Sequence, residues 1–143
     1  MLHLTPEAEE IVEAFKEVPD TSRLELLLEY SNALPPLPER YAEHPELLER
    51  VEECQSPVYL FVEVAPDRSV GVFLTAPEEA PTTKGFASIL QLALGGHDVN
   101  EVLDFNEDFV SELGLTSLVS PLRIRGMHGM LYRIKRQVRE RAN

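Results

Sequence analysis

The feature that most constrains the fold is the run Val58–Val64, which is rich in β-branched and aromatic residues and predicts a strand. A second run, Ser69–Ala76, alternates apolar and polar residues in the pattern of a half-buried strand. The connection between them, residues 65–68, puts Pro66 at the favoured second position of a type I turn. We therefore predict an antiparallel hairpin, to which a short strand around Arg50–Glu52 is expected to add.

Two amphipathic helices are predicted before the hairpin. The first starts at Thr5-Pro6-Glu7, which supplies an N-cap threonine and a proline at N1. Its apolar residues lie on one face of the helix: Ala8, Ile11, Val12 and Phe15. The second starts at Asp20–Ser22, where Ser22 and Glu25 have capping-box spacing, and ends near Leu34. Its predicted apolar stripe is Leu24, Leu27, Leu28 and Ser31. Residues 35–49 are Pro-rich and acidic, and predict a loop with a helical turn around Glu46–Glu49.

Four helices are predicted after the hairpin. The most apolar is capped by Thr82 or Thr83, ends at Gly95-Gly96 and is expected to be central. Short helices are predicted at Val99–Leu103 and between residues 106 and 114. The last helix follows Ser120-Pro121, and its apolar residues lie on one face: Met127, Leu131, Ile134 and Val138. This order predicts an α+β fold with helices packed on one small antiparallel sheet, in a single domain over residues 1–143.

The charge of the chain is large and unevenly placed. A net charge of −12 argues against nucleic acid as the principal partner. Residues 123–143 nevertheless hold seven of the 13 basic residues and only one acid, Glu140. We interpret residues 133–141 as a basic helix lying on an acidic body. For Arg123 and Arg125, a role in docking a partner stays open.

Several classes of protein are excluded or disfavoured. The sequence has no apolar run of 18 residues, so no membrane-spanning segment is predicted, and its start does not resemble a signal peptide. A single cysteine cannot form an internal disulfide, and this fits a reducing cytoplasm. The four histidines lack metal-ligand spacing, and no phosphate-binding motif is present. We therefore predict neither a metal site nor a cofactor.

Cys54 is the candidate reactive residue, and it lies just before the predicted strand. Pro57 restricts Ser56 to extended conformations, so residues 55–57 should form a turn or loop. The flanking carboxylates of Glu52 and Glu53 oppose thiolate formation, which suits a thiol that reacts only when a partner approaches. Arg123 is a candidate positive partner within the chain. The alternative is a small buried cysteine with a structural role.

Residues 53–59, Glu-Cys-Gln-Ser-Pro-Val-Tyr, resemble the Gly-Cys-Gln-Ser-x-Val-Trp signature of the SufE family. Lys84-Gly85-Phe86 resembles the family's Lys-Gly-Leu, and Leu115-Thr116 its Leu-(Thr/Ser). The segment 120–127, Ser-Pro-Leu-Arg-Ile-Arg-Gly-Met, resembles its Ser-Pro-Ser-Arg-x-x-Gly-Leu. The four matches occur in family order, and the resemblance covers roughly residues 6–140.

The resemblance implies a SufE/NifU-like fold and a sulfur acceptor that activates a pyridoxal-phosphate-dependent cysteine desulfurase of the SufS or CsdA kind. Cys54 would become a persulfide and pass its sulfur to an iron–sulfur scaffold containing SufB, or to another recipient. In the family the resting thiol is tucked toward an apolar cavity. Glu53, Gln55 and Ser56 would shape the loop, and Arg123 would support it or contact the desulfurase. No cofactor, nucleic acid or membrane is implied.

The sequence departs from the family pattern at three positions, and two alternative functions stay open. Glu53 replaces a glycine that would permit positive φ, Pro57 stands where glutamine or arginine is common, and Tyr59 replaces tryptophan. An iron–sulfur scaffold of the IscU/NifU kind would need several thiolate ligands, which one cysteine does not supply. A non-catalytic adaptor, with Cys54 as a buried structural residue and an acidic partner-binding surface, is the other alternative.

Overall fold

The predicted hairpin forms most of a three-stranded antiparallel sheet in the computed structural model, which describes residues 3–142. The strands, in sheet order, are β1 Glu49–Arg50, β2 Tyr59–Val64 and β3 Val70–Thr75. Phe61 lies opposite Phe73 in the β2–β3 pair. The predicted alternation is confirmed, because Val70, Val72 and Leu74 are all buried. The short added strand lies one residue earlier than predicted, which leaves Glu52 in the loop that follows.

Seven α-helices and one 3₁₀ turn surround the sheet in the described part of the chain. The helices are α1 Pro6–Glu17, α2 Asp20–Ala33, α3 Glu39–Ala42, α4 Pro81–Leu94, α5 Val99–Leu103, α6 Phe109–Glu112 and α7 Pro121–Arg141. The 3₁₀ turn is Pro45–Leu47, so the helical turn predicted at residues 46–49 begins earlier and ends before the sheet. The α3 helix was not predicted, because the proline-rich composition of residues 35–49 indicated a loop.

The hydrophobic core lies between the sheet and the two long helices α4 and α7. The α4 helix, predicted to be central, buries Phe86, Ile89, Leu90 and Leu94 completely. The predicted apolar face of α7 is confirmed, since Met127, Leu131, Ile134 and Val138 are each at most 1% exposed. The four apolar residues predicted for α1 are also buried, and the Thr5 hydroxyl caps that helix at the Ala8 amide. None of the helices described is long and apolar enough to cross a membrane.

The predicted stripe of α2 is wrong at two positions. Leu27 and Ser31 are buried, but Leu24 and Leu28 are each 41% exposed. The two helices α2 and α4 approach closely at Gly85, where an added Cβ would lie 2.6 Å from the Leu27 carbonyl oxygen. Such a close crossing covers only a narrow strip of α2, so Leu24 and Leu28 stay partly exposed to solvent.

Two predicted helix caps are also wrong. Pro19 precedes α2 and no side chain caps it, so the expected box of Ser22 and Glu25 does not form. The N-cap of α4 is Ala80 rather than Thr82 or Thr83, because Pro81 takes the first helical position. Thr83 is buried within the first turn instead. This N-terminus therefore has no side-chain cap.

The interpretation of α7 as a basic helix on an acidic body is confirmed. Arg133 Nη1 lies 2.6 Å from Glu49 Oε2 on β1, and Gln137 Nε2 donates to Glu49 Oε1 at 2.8 Å. Arg136 also pairs with Glu49. Arg141 Nε donates to the Val62 carbonyl at 2.7 Å. These contacts fix one side of α7 to the sheet.

Candidate functional site

Cys54 lies in the loop that connects β1 to β2, here called the Cys54 loop (residues 51–58). The loop is closed at its base by a hydrogen bond from the Val51 amide to the Val58 carbonyl, 2.9 Å long. Val51 and Val58 are fully buried and anchor both ends in the core. The Cys54 amide donates to the Val51 carbonyl at 3.1 Å, which turns the cysteine inward. As a result only 7% of Cys54 is exposed.

The buried thiol of Cys54 packs against α7 at Gly126. A Cβ atom added to Gly126 would lie 2.8 Å from Cys54 Sγ, so no larger residue fits there while the thiol keeps its position. Burial raises the pKa of the Cys54 thiol to about 11, and the negative charge of Glu53 adds to the rise. The positive charges of Arg50 and Arg133 oppose it. The resting thiol is therefore protonated and weakly nucleophilic near neutral pH.

A pocket of about 320 Å³ adjoins the thiol. It brings together four residues selected from the sequence as site residues: Cys54, Gln55, Ser56 and Arg123. The remaining wall is formed by Leu122 and Gly126 of α7 and by residues 79–83 at the start of α4. Arg123 thus lies beside the Cys54 loop. The cations that act on the thiol's pKa are nevertheless Arg50 and Arg133, not Arg123.

The pocket wall contributed by α4 is an uncapped helix N-terminus. The first amides of this 14-residue helix have no side-chain acceptor, and Thr82 and Thr83 line the pocket. Such an end carries partial positive charge and unpaired N–H donors, and it favours anions. Arg123 is exposed and makes no ion pair within residues 3–142. Glu79, on the same wall, is the one acidic residue among those lining the pocket.

Glu53, the remaining selected residue, points away from the pocket and toward α7. Its Oε1 lies 3.0 Å from both Nε and Nη2 of Arg133. It also fills the space over Gly129, where an added Cβ would lie 2.7 Å from the Glu53 Cδ and Oε1 atoms. The sequence did not identify Arg133 or Gly129 as part of the site. One sequence feature could have indicated this contact: two glycines lie three residues apart inside a predicted helix. Glycine inside a helix often marks a position where another segment packs closely.

Comparison with known proteins gives consistent matches along the chain. The family model described as "SufE: Fe-S metabolism associated domain" matches residues 9–138. An uncharacterized SufE-like protein of Mycobacterium tuberculosis is 50% identical over 131 residues, which cover 92% of this chain and 90% of that protein. SufE-like protein 1, chloroplastic/mitochondrial, of Arabidopsis thaliana is 33% identical over 129 residues, which cover 90% of this chain and 33% of that protein.

A solved structure and a more distant relative agree with these matches. The solution structure of a hypothetical protein from Thermus thermophilus superposes with a TM-score of 0.84 and 35% identity, covering 98% of both chains. The cysteine desulfuration protein SufE of Plasmodium falciparum is 25% identical over 137 residues, which cover 93% of this chain and 54% of that protein. The fold, the order of the motifs and these matches agree, and the chain belongs to the SufE family of proteins associated with iron–sulfur metabolism.

Proposed function

We propose that this protein accepts sulfur on Cys54 from a cysteine desulfurase and passes it to the machinery that assembles iron–sulfur clusters. The observation that carries the proposal is the setting of Cys54, a buried thiol on a loop whose neighbours form a polar, partly electropositive pocket. Membership of the SufE family supports the same chemistry, since two curated relatives are named cysteine desulfuration proteins. The protein would thus be an accessory sulfur carrier and not an enzyme in its own right.

The proposed reaction is a thiol exchange at the terminal sulfur of the desulfurase persulfide. Cys54 loses its proton and attacks that sulfur as a thiolate. A new sulfur–sulfur bond forms on Cys54 while the bond to the desulfurase cysteine breaks, and that cysteine leaves as a thiolate. The step involves no net oxidation. It needs an accessible thiolate, and the resting Cys54 is neither accessible nor ionised.

Docking is therefore proposed to move the Cys54 loop outward. Exposure would remove the burial that makes the largest contribution to the raised pKa of Cys54. The anchored valines at the base of the loop would stay in the core while its tip moves. When the loop returns, the uncapped end of α4 and the Arg123 guanidinium would stabilise an anionic persulfide in the pocket. Gln55 and Ser56 would line its path, and Arg123 would also serve the docked partner.

The proposed partners follow the family. They are a desulfurase of the SufS or CsdA kind, which holds the pyridoxal phosphate, and a SufB-containing scaffold or another sulfur recipient. A cytoplasmic setting, in which thiols remain reduced, is part of the proposal. So is a single SufE-like domain over residues 1–143. We propose no metal, nucleic acid or membrane ligand.

Mass spectrometry tests the proposal. After incubation with a cysteine desulfurase and L-cysteine, the intact protein is expected to gain one sulfur atom, and a reductant should remove it. Cys54→Ser should gain none. A Cys54→Ser protein that still takes up and delivers sulfur would end the acceptor proposal.

The second candidate is a non-catalytic adaptor. It is favoured by the tight packing of Cys54 against Gly126, which a purely structural cysteine would also show. An adaptor would bind a partner without changing mass, and Cys54→Ser would bind equally well. Alkylation of the native protein cannot separate the two candidates, because both predict a protected thiol.

A further inference from the structure

Glu53 ties the tip of the Cys54 loop to α7 through an ion pair. The pair joins two guanidinium nitrogens of Arg133 to one carboxylate oxygen at 3.0 Å. Both partners are mostly shielded, with 25% of the Glu53 side chain and 15% of the Arg133 side chain exposed. Charge-assisted hydrogen bonds of this kind are about twice as strong as neutral ones. The contact joins the residue next to the reactive thiol to α7, a helix outside the loop.

Arg133 is itself held in place on its other side. Its Nη1 donates to Glu49 on β1 at 2.6 Å, and Glu49 also accepts from Gln137 at 2.8 Å. Burial alone would raise the pKa of Glu49, but these donors and the charges of Arg133 and Arg136 outweigh it and hold that pKa below its ordinary value. Arg133 is thus fixed to the sheet and offers Glu53 a preorganised partner.

The side chains of Glu53 and Cys54 each lie over a glycine of α7. Gly126 faces Cys54 Sγ and Gly129 faces the carboxyl end of Glu53, and a Cβ at either position would approach within 2.8 Å. The two glycines are three residues apart, so they lie on one face of the helix. Together they form a shallow notch that fits the closed loop.

We infer that the Glu53–Arg133 pair, seated over Gly129, is a latch that holds the Cys54 loop closed and sets how often its thiol is exposed. Arg133 is a positioning residue, because it acts on the loop and does not touch the reacting sulfur. The glycine of the family signature has no carboxylate and could not form this pair. The inference rests on the proposed function for its biological meaning, since a desulfurase would have to release the latch before receiving Cys54.

Loop opening can be separated from a simple effect of charge on the thiol. If Glu53 acted only through its charge, Arg133→Gln would slow alkylation of Cys54, because Arg133 favours the thiolate. The latch predicts the opposite, since the same substitution frees the loop. Gly129→Ala offers a further separation. It changes no charge and suits a helix better than glycine does, yet it displaces the Glu53 side chain.

The experiment measures the rate of iodoacetamide alkylation at fixed pH, together with hydrogen exchange of the peptide spanning residues 51–58. Glu53→Gln, Arg133→Gln and Gly129→Ala are each expected to raise the alkylation rate roughly tenfold and to reduce amide protection of the loop. The matched controls are Glu52→Gln, an exposed acid beside Glu53, and His128→Ala, an exposed neighbour of Gly129. Both should stay within about twofold of the parent rate.

A rate at or below the parent value for either Arg133→Gln or Gly129→Ala overturns the latch, as does unchanged loop protection in both. Should Arg133→Gln fail to fold, Gly129→Ala still decides the question. No desulfurase is present in these measurements. Failure of the latch would therefore leave the sulfur-acceptor function untouched, and failure of sulfur uptake would leave the latch intact.

Discussion

At the scale of single residues, the chemistry of Cys54 is governed by its protonation. Its pKa in the folded protein is raised from an ordinary value of 9.0 to about 11, chiefly by burial. At about pH 8 this shift lowers the thiolate fraction roughly a hundredfold relative to an unperturbed thiol. The closed loop thus protects the thiol from adventitious oxidation and alkylation.

This shift predicts how alkylation of Cys54 varies with pH. In the folded protein the rate should rise with a midpoint near pH 11, whereas in denaturant the midpoint should lie near pH 9. The protonated Cys54 thiol contributes to the free energy of unfolding fully below pH 9, the pKa of the unfolded thiol. This contribution is lost as the pH rises through the pKa of the folded protein, because the unfolded thiol ionises more readily. Stopped alkylation followed by mass spectrometry measures both curves. Superimposable curves would contradict the burial of the thiol.

Arg123 supports a second prediction at this scale. It lines the Cys54 pocket, yet it is exposed and makes no ion pair within residues 3–142. Arg123→Ala should therefore change stability by no more than about 0.5 kcal/mol. Loss of a charge-assisted contact to a docked desulfurase or to the persulfide should instead cost about 2 kcal/mol, roughly thirtyfold in affinity.

The measurement for Arg123 is the concentration of this protein that half-maximally stimulates a desulfurase, together with thermal unfolding. Lys16→Ala is the matched control, since Lys16 is an exposed cation on α1 that does not line the pocket. If both variants stimulate equally well, Arg123 has no part in docking or in sulfur transfer.

At the scale of elements, α7 combines two functions along one helix. Its basic residues hold the helix to the sheet through Glu49, and its two glycines receive the Cys54 loop. Glycine inside a helix costs about 1 kcal/mol relative to alanine. The presence of two glycines within four residues is therefore explained by the close approach of the loop, which leaves no room for a Cβ atom at either position.

Gly126→Ala provides the corresponding prediction. The added methyl group would meet Cys54 Sγ at 2.8 Å, so the thiol must move out of its seat. We expect faster alkylation of Cys54 with the helix content retained, because alanine favours the helix. Circular dichroism and alkylation rates check the two halves of this prediction. A protected thiol in a folded Gly126→Ala protein would show that the close contact with Gly126 is not what confines Cys54.

The elements were largely predictable from the sequence, and the direction of the Glu53 side chain was not. Periodicity placed the core faces of α1 and α7 correctly, because each face is repeated over several turns. The α2 stripe failed because its burial depends on one narrow crossing at Gly85. The pairing of Glu53 with Arg133 joins residues 80 positions apart, so no local pattern could reveal it.

At the scale of the whole molecule, opposite charges join segments that are distant in the sequence. Glu49 on β1 accepts from Arg133, Arg136 and Gln137 of α7, and these contacts outweigh its burial and keep its pKa below the ordinary value. Hydrogen bonds to a charged group commonly contribute about 2 kcal/mol. Three of the 13 basic residues, Arg133, Arg136 and Arg141, thus hold α7 to the sheet.

Glu49→Gln is predicted to lower the free energy of unfolding by about 2 kcal/mol near neutral pH. Because the folded pKa of Glu49 is depressed, its contribution is present above the ordinary value of 4.5 and is lost as the pH falls through the folded value. The difference from the parent protein should therefore shrink in acid. Urea unfolding near neutral pH and below pH 4.5 measures this difference in the free energy of unfolding. Glu25→Gln, at an exposed position, is the control. A difference independent of pH would mean that the charge of Glu49 is not the cause.

The central claim, that Cys54 receives sulfur directly from a desulfurase, is tested most directly by a single-turnover transfer. A desulfurase already carrying its persulfide, freed of L-cysteine, is mixed with this protein, and both masses are followed over time. We predict that the desulfurase loses one sulfur atom as this protein gains one, and that digestion locates it on the peptide containing Cys54. Loss of the desulfurase persulfide without a gain on Cys54, or an equal gain by Cys54→Ser, would contradict the claim.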